Sequence, residues 1–257
     1  MAPARLALHR RSIIAAAAFA AIAFGFAGSS SAAPSALRQA LGMEGMERGR
    51  EAAPMVARYV IDEGGVFILD RTQAHPLLKF DDSPEVWVLW PSRGPRGDII
   101  YRNDVGEPML RATRLGGMTV FTARRPMGSA AALAGAGTSI KTGPIGPFVL
   151  YNRLYQASVR VSRAAQHTIG FEAPDTGKES DNLIADAAMV AVEAFIGMAA
   201  HPEARSALAR VAKISFVEGP KPNAVVAGGV LTITVDAAEG VAGRPSSRRI
   251  MKCMGMR

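Results

Sequence analysis

Between residues 56 and 125, apolar and polar positions change in short runs, each closed by a turn signal. The runs are Ala57–Ile61, Val66–Asp70, Leu77–Phe80, Glu85–Leu89, Asp98–Arg102, Met109–Arg114 and Met118–Ala123. Between them lie Glu63-Gly64-Gly65, Asp81-Asp82-Ser83-Pro84, Gly94-Pro95-Arg96-Gly97, Asn103-Asp104-Val105-Gly106 and Leu115-Gly116-Gly117. Gly supplies positive φ, Pro presets a turn, and Asn and Asp bond their own backbone. Strands at this spacing with such turns predict an antiparallel β-meander. In Glu85–Trp90, Trp87 shares the odd face with Leu89, which marks that face as core or binding surface.

The pattern then changes. Residues 126–147 are small, Gly-rich and Pro-punctuated, and read as a loop dividing the chain. Residues 148–242 form an α+β part. Leu150, Leu154, Ala157 and Val161 share one helical face. His167–Ala173 reads as a strand, and Thr176-Gly177-Lys178-Glu179 fits a capping box. From Ala185 to Ala200 the chain is apolar almost all round, broken by Glu193, and predicts a buried helix shorter than a bilayer span. His201-Pro202 opens another helix. Lys213–Val217, Ala224–Ala227 and Val230–Val235 read as strands, the last two joined at Gly228-Gly229. The expected class is α+β: an antiparallel β-meander followed by helices and a small antiparallel sheet.

The N-terminal segment has a different logic. Residues 1–12 are basic, with Arg5, Arg10 and Arg11. Ile13–Gly28 is apolar, and Ser29–Ala33 is small. That order predicts a cleavable signal peptide over residues 1–32, cut after Ala32. Arg10-Arg11-Ser12-Ile13-Ile14 leaves a twin-Arg route open beside the general secretory one. The expected address is the periplasm or the medium of a bacterium. Residues 33–55 read as a mobile N-terminal segment with a weak helix over Ser35–Arg50.

Charge adds one feature. The formal net charge is +8, but three basic residues belong to the signal. Residues 243–257 hold Arg244, Arg248, Arg249, Lys252 and Arg257 with no acid, while residues 33–242 balance at 22 against 22. This basic tail reads as a solvated terminus, with peripheral contact to an anionic surface as the alternative. Export argues against nucleic acid. Cys253 is the sole cysteine, so no internal disulfide forms, and its basic neighbours would lower its thiol pKa.

Candidate chemistry is sparse. Gly135–Thr142 nearly matches a phosphate-binding loop, but Ile140 stands where that motif needs Gly. No histidines sit at metal-ligand spacing, so neither metal nor cofactor is expected. His167, Glu172 and His75 are the candidates for catalysis, and Trp87, Arg102, Asp104, Arg111, Arg248 and Arg249 those for binding. Arg102-Asn103-Asp104 with Glu107 and Arg111 concentrates charge on one hairpin. That is the hydrogen-bonding apparatus of a turn or a polar ligand site.

Val66–Asp70, Pro84–Trp87, Pro95–Asp98, Tyr101–Gly106, Gly116–Phe121 and Gly243–Ser247 together resemble a family of exported bacterial proteins, domain of unknown function 4908. The resemblance runs over most of the chain after the signal and implies no activity, cofactor or site residue. The expected function is therefore a non-catalytic cell-envelope binding or interaction protein, with a partner in the envelope and no transmembrane span. An envelope hydrolase acting on glycan, peptide or ester bonds is the alternative, and it requires distant groups to gather in a cleft.

Overall fold

The predicted meander forms, and two further strands complete it. In this computed structural model the described residues are 53–141, 143–174 and 176–256. The signal segment and the helix expected at Ser35–Arg50 lie outside them. The strands are β1 (Val56–Ile61), β2 (Val66–Asp70), β3 (Leu77–Phe80), β4 (Val86–Val88), β5 (Trp90–Arg93), β6 (Ile99–Arg102), β7 (Pro108–Ala112), β8 (Met118–Thr122) and β9 (Arg125–Ala136). They make one antiparallel sheet of nine strands in the order β4-β3-β2-β1-β9-β8-β7-β6-β5.

That order has a geometric consequence. The two edge strands, β4 and β5, are consecutive and separated only by Leu89. The pairing partner changes there from β3, where Leu77 faces Val88, to β6, where Trp90 faces Arg102. The sheet must curl until its two edges meet at this residue. Ala57, Tyr59, Phe67, Leu69, Leu78, Leu89, Tyr101, Leu110, Met118 and Val120 form the single core inside the curl. The run expected as one strand thus serves both edges of a barrel-like sheet.

The segment 126–147, expected as a loop, contains most of β9. This strand joins the two halves of the sheet, pairing with β1 on one side and β8 on the other. Its sequence gave no alternation because it buries few side chains, and backbone hydrogen bonds hold it instead. Gly128 sits in it at φ +91°, where a Cβ would stand 2.6 Å from Thr119 Cγ2. The register with β8 shifts beside it.

The second part is built on α1 (Pro147–Ala165) and α2 (Asp181–Ala199). Leu150, Ala157 and Val161 of α1 are buried, as their spacing predicted. α2 is buried on nearly every side. With its preceding turn it spans Lys178–Ala199, long and apolar enough by length and composition for a membrane span, and 61% of its most apolar stretch is buried inside the protein. The expected capping box is absent. Gly177 precedes the turn, and its N–H bonds Glu218 Oε1 at 2.8 Å.

A short α3 (Arg205–Ala209) follows Pro202. The second sheet contains β10 (Gly170–Glu172), β11 (Lys213–Glu218), β12 (Asn223–Ala227) and β13 (Val230–Val235) in the order β10-β11-β13-β12. It is mixed, which corrects the antiparallel expectation. β10, β11 and β13 run parallel, and only the β12–β13 hairpin is antiparallel. The crossover through α2 returns the chain in the direction it left and sets β10 parallel to β11, and β13 is parallel to β11 because the β12–β13 hairpin joins the sheet through its second strand.

The basic tail is also corrected. Ser247–Cys253 is a helix, α4, with Ile250 fully buried and Met254 nearly so. Cys253 is half-buried, its Sγ donates to Ile250 O, and burial pushes its thiol up to about 11. The basic neighbours do not lower it.

Candidate functional site

In an antiparallel meander, alternate turns share an end. Because β4 and β5 make one traverse, the turns β1–β2, β3–β4, β6–β7 and β8–β9 gather at one mouth of the barrel. Three of the carboxylates at that mouth meet the C-terminal segment: Glu85 just before β4, and Asp104 and Glu107 in the β6–β7 turn. The segment Arg244–Arg249 lies across it, and the two charge clusters that stood apart in the sequence are each other's partners.

Glu85 is buried and receives both groups of one residue, Ser247 N at 3.0 Å and Ser247 Oγ at 2.6 Å. Burial pushes its carboxyl up to about 7, with Arg244 and the Ser247 bonds opposing the rise. Asp104 accepts from Ser246 N at 3.1 Å, Ser246 Oγ at 2.5 Å and Arg249 Nε at 2.8 Å. Ser246 Oγ in turn accepts from Arg249 N at 3.1 Å, which caps α4. Glu107 takes Arg248 Nε at 2.9 and 3.0 Å, Asn103 Nδ2 at 3.3 Å and Lys252 Nζ at 3.5 Å. Burial alone would raise Glu107, but the Arg248 and Asn103 bonds outweigh it and hold the carboxyl below its ordinary value.

Arg244 ties the layers together. Its side chain is 1% exposed, it pairs with Asp186 of α2, and its Nη2 donates to Val86 O of β4 at 2.8 Å. Gly243 precedes it because nothing larger fits: a Cβ there would lie 1.8 Å from Asp236 O.

Beside this seam an open cleft of about 970 Å³ lies between the barrel mouth and the helices. Turn residues Gly64, Ser83, Asn103 and Arg124 line it from the barrel. Gly197, His201, Ser247, Arg248 and Met251 line it from the helical part. Its size falls in the range of small-molecule sites, and barrel mouths are a recurrent place for them.

The sequence candidates divide sharply. Asp104, Arg248 and Arg249 come together at the seam, and Trp87 and Arg248 line the cleft. Arg102 braces its own turn, donating to Gly106 O at 2.8 Å. Arg111 pairs with Asp98 at 2.5 Å, away from the cleft lining. The catalytic candidates do not converge. His167 places its ring nitrogens 3.0 Å from Ala165 O and 2.8 Å from Val211 O, tying α1 to the chain before β11. Glu172 is paired with Lys213 Nζ at 2.7 Å on the surface. His75 packs 5.2 Å from the Trp90 ring. Among the described residues no histidine hydrogen-bonds a serine or cysteine hydroxyl or thiol, and no three His, Cys, Asp or Glu side chains are grouped to hold a metal.

Glu85, Asp186, Arg244, Ser246 and Ser247 were not among the candidates. The available signal was the surplus of arginine after Gly243 set against acids in earlier turns.

A family model described as domain of unknown function (DUF4908) matches residues 36–254. No curated protein and no solved structure matches the chain.

Proposed function

The chain belongs to the DUF4908 family, and we propose that it is an exported, non-catalytic binding protein of the bacterial cell envelope that takes its ligand at the mouth of the barrel. The observation that carries this reading is the convergence of both parts of the protein on one cleft, where Asn103 and Glu107 from a barrel turn meet Ser247 and Arg248 from α4. The basic, apolar and small-residue order of residues 1–33 supports export. The scattering of His75, His167 and Glu172 removes the groups that the hydrolase alternative relied on.

The test is co-sedimentation of the purified protein with envelope fractions. Phe121, half-buried on the cleft wall, is changed to Asp, and exposed Val225 on β12 is changed to Asp as the control. Binding should fall in Phe121→Asp and persist in Val225→Asp. Equal binding by wild type and Phe121→Asp would remove the cleft from the reading.

A further inference from the structure

We infer that the cleft seats a single-chain zwitterionic amphiphile, an apolar chain with a head that carries one charge of each sign. This rests on the binding reading above and names its ligand class.

The lining selects the chain. Phe80, Trp87, Met109, Phe121, Met251 and Met256 face the cleft from both parts of the protein. Methionine is flexible and polarizable, so a wall with three of them moulds to an irregular, mobile chain better than to a rigid plate. A volume of about 970 Å³ leaves room for a long one. An extended peptide fits poorly. The edge strands are only three and four residues long and end on each other at Leu89, so no strand-length row of free backbone groups faces an incoming chain.

The rim selects the head. The acids lining the cleft are Glu63, Asp82 and Glu107, and the guanidinium groups are Arg124, Arg125 and Arg248. Arg125 pairs with Glu63 and Arg248 with Glu107. His201, also at the cleft, lies 3.4 Å from Glu203. Asp82 and Arg124 make no ion pair among the described residues, and both are exposed. Among the described residues, one charge of each sign is left without an ion-pair partner in a rim that otherwise balances. A head with a phosphate and an amine meets both, whereas a purely anionic head meets Arg124 and is opposed by Asp82.

The two tryptophans make the test specific to place. Trp87 lines the cleft, while Trp90 packs with His75 and against Leu77, Val86 and Val88 in a separate cluster. Purified protein is titrated, below micelle formation, with a lysophosphatidylethanolamine whose acyl chain is brominated, and tryptophan quenching is read. The Trp90→Phe variant, which retains Trp87, should quench saturably. The Trp87→Phe variant, which retains Trp90, should quench little, with circular dichroism confirming that both are folded. A brominated fatty acid should bind about threefold more weakly, the scale of one exposed ion pair. Arg124→Ala and Asp82→Ala should each weaken the lysolipid by about the same factor.

Equal quenching of the two tryptophans would overturn the location. Indifference to both head variants, with the fatty acid binding as tightly, would overturn the zwitterionic head. Absence of quenching by either chain would overturn the amphiphile. If Phe121→Asp still abolishes envelope binding in that last case, the binding reading stands and only the ligand class falls.

Discussion

Glu85 and Ser247 close on each other completely: one carboxylate takes both the backbone N–H and the hydroxyl of one serine, at 3.0 and 2.6 Å. The carboxyl is buried, and burial raises it to about 7 from an ordinary 4.5. A folded-state value above the unfolded one means that the folded protein holds the proton more tightly. The contribution is present below about pH 4.5 and is lost as pH rises through about 7. Chemical denaturation across this window should show stability falling by on the order of 3 kcal/mol from this group. Glu85→Gln should flatten the slope. Asp70 and Glu107 act in the opposite sense. Burial would raise both, but hydrogen bonds outweigh it and lower them, so their contribution is lost toward acid. An unchanged slope in Glu85→Gln would show that the buried carboxyl is not its source.

Arg244→Ala should cost about 3–5 kcal/mol, because it strands Asp186 and Val86 O with a cavity between them. Urea midpoints give the number. A loss under about 1 kcal/mol, the scale of an exposed pair, would contradict the burial described for this side chain.

Gly243→Ala tests close approach without removing any polar group. The new methyl would stand 1.8 Å from Asp236 O, in backbone that also holds the Asp236 N to Gly243 O bond of 2.8 Å. Overpacking of this kind costs about 1–3 kcal/mol or more. Thermal unfolding of the variant should drop accordingly, while Gly143→Ala, with open space around its Cβ position, should leave it nearly unchanged.

Cys253 should be inert in the native protein. With a thiol near 11, about one molecule in a thousand carries thiolate at pH 8. An aromatic disulfide reagent should label it slowly until denaturant is added, then at once. Rapid native labelling would place the thiol on the surface.

Export predicts a specific covalent product. Expressed in a bacterial host, the periplasmic protein should begin at Ala33 by N-terminal sequencing. Replacing Arg10-Arg11 with two lysines should block export only if the twin-Arg route is used.

Much of the fold was legible because local chemistry and tertiary context agree. Gly228 and Gly229, both at positive φ, turn the β12–β13 hairpin as their sequence predicted. α2 announced its burial through its unbroken apolar surface. β9 did not announce itself, because a strand held by two neighbours and burying few side chains needs no alternation. Leu89 concealed the closure, since one continuous apolar run serves two edges. The seam was half visible. Acids in the turns and arginines after Gly243 were plain, but a sequence does not state which charge meets which across more than 140 residues.

That separation sets a sequence in time. Ser247 follows Glu85 by 162 residues, and Arg248 follows Glu107 by 141. At ordinary synthesis rates the barrel strands exist for roughly ten to thirty seconds before their partners are made. During that interval the carboxylates at the mouth stand in water. The seam therefore works as a gauge of completeness: a chain that stops before residue 244 lacks every C-terminal partner of these carboxylates, and only a chain made through residue 249 carries all the contacts of Arg244, Ser246, Ser247, Arg248 and Arg249 that lock its two parts together.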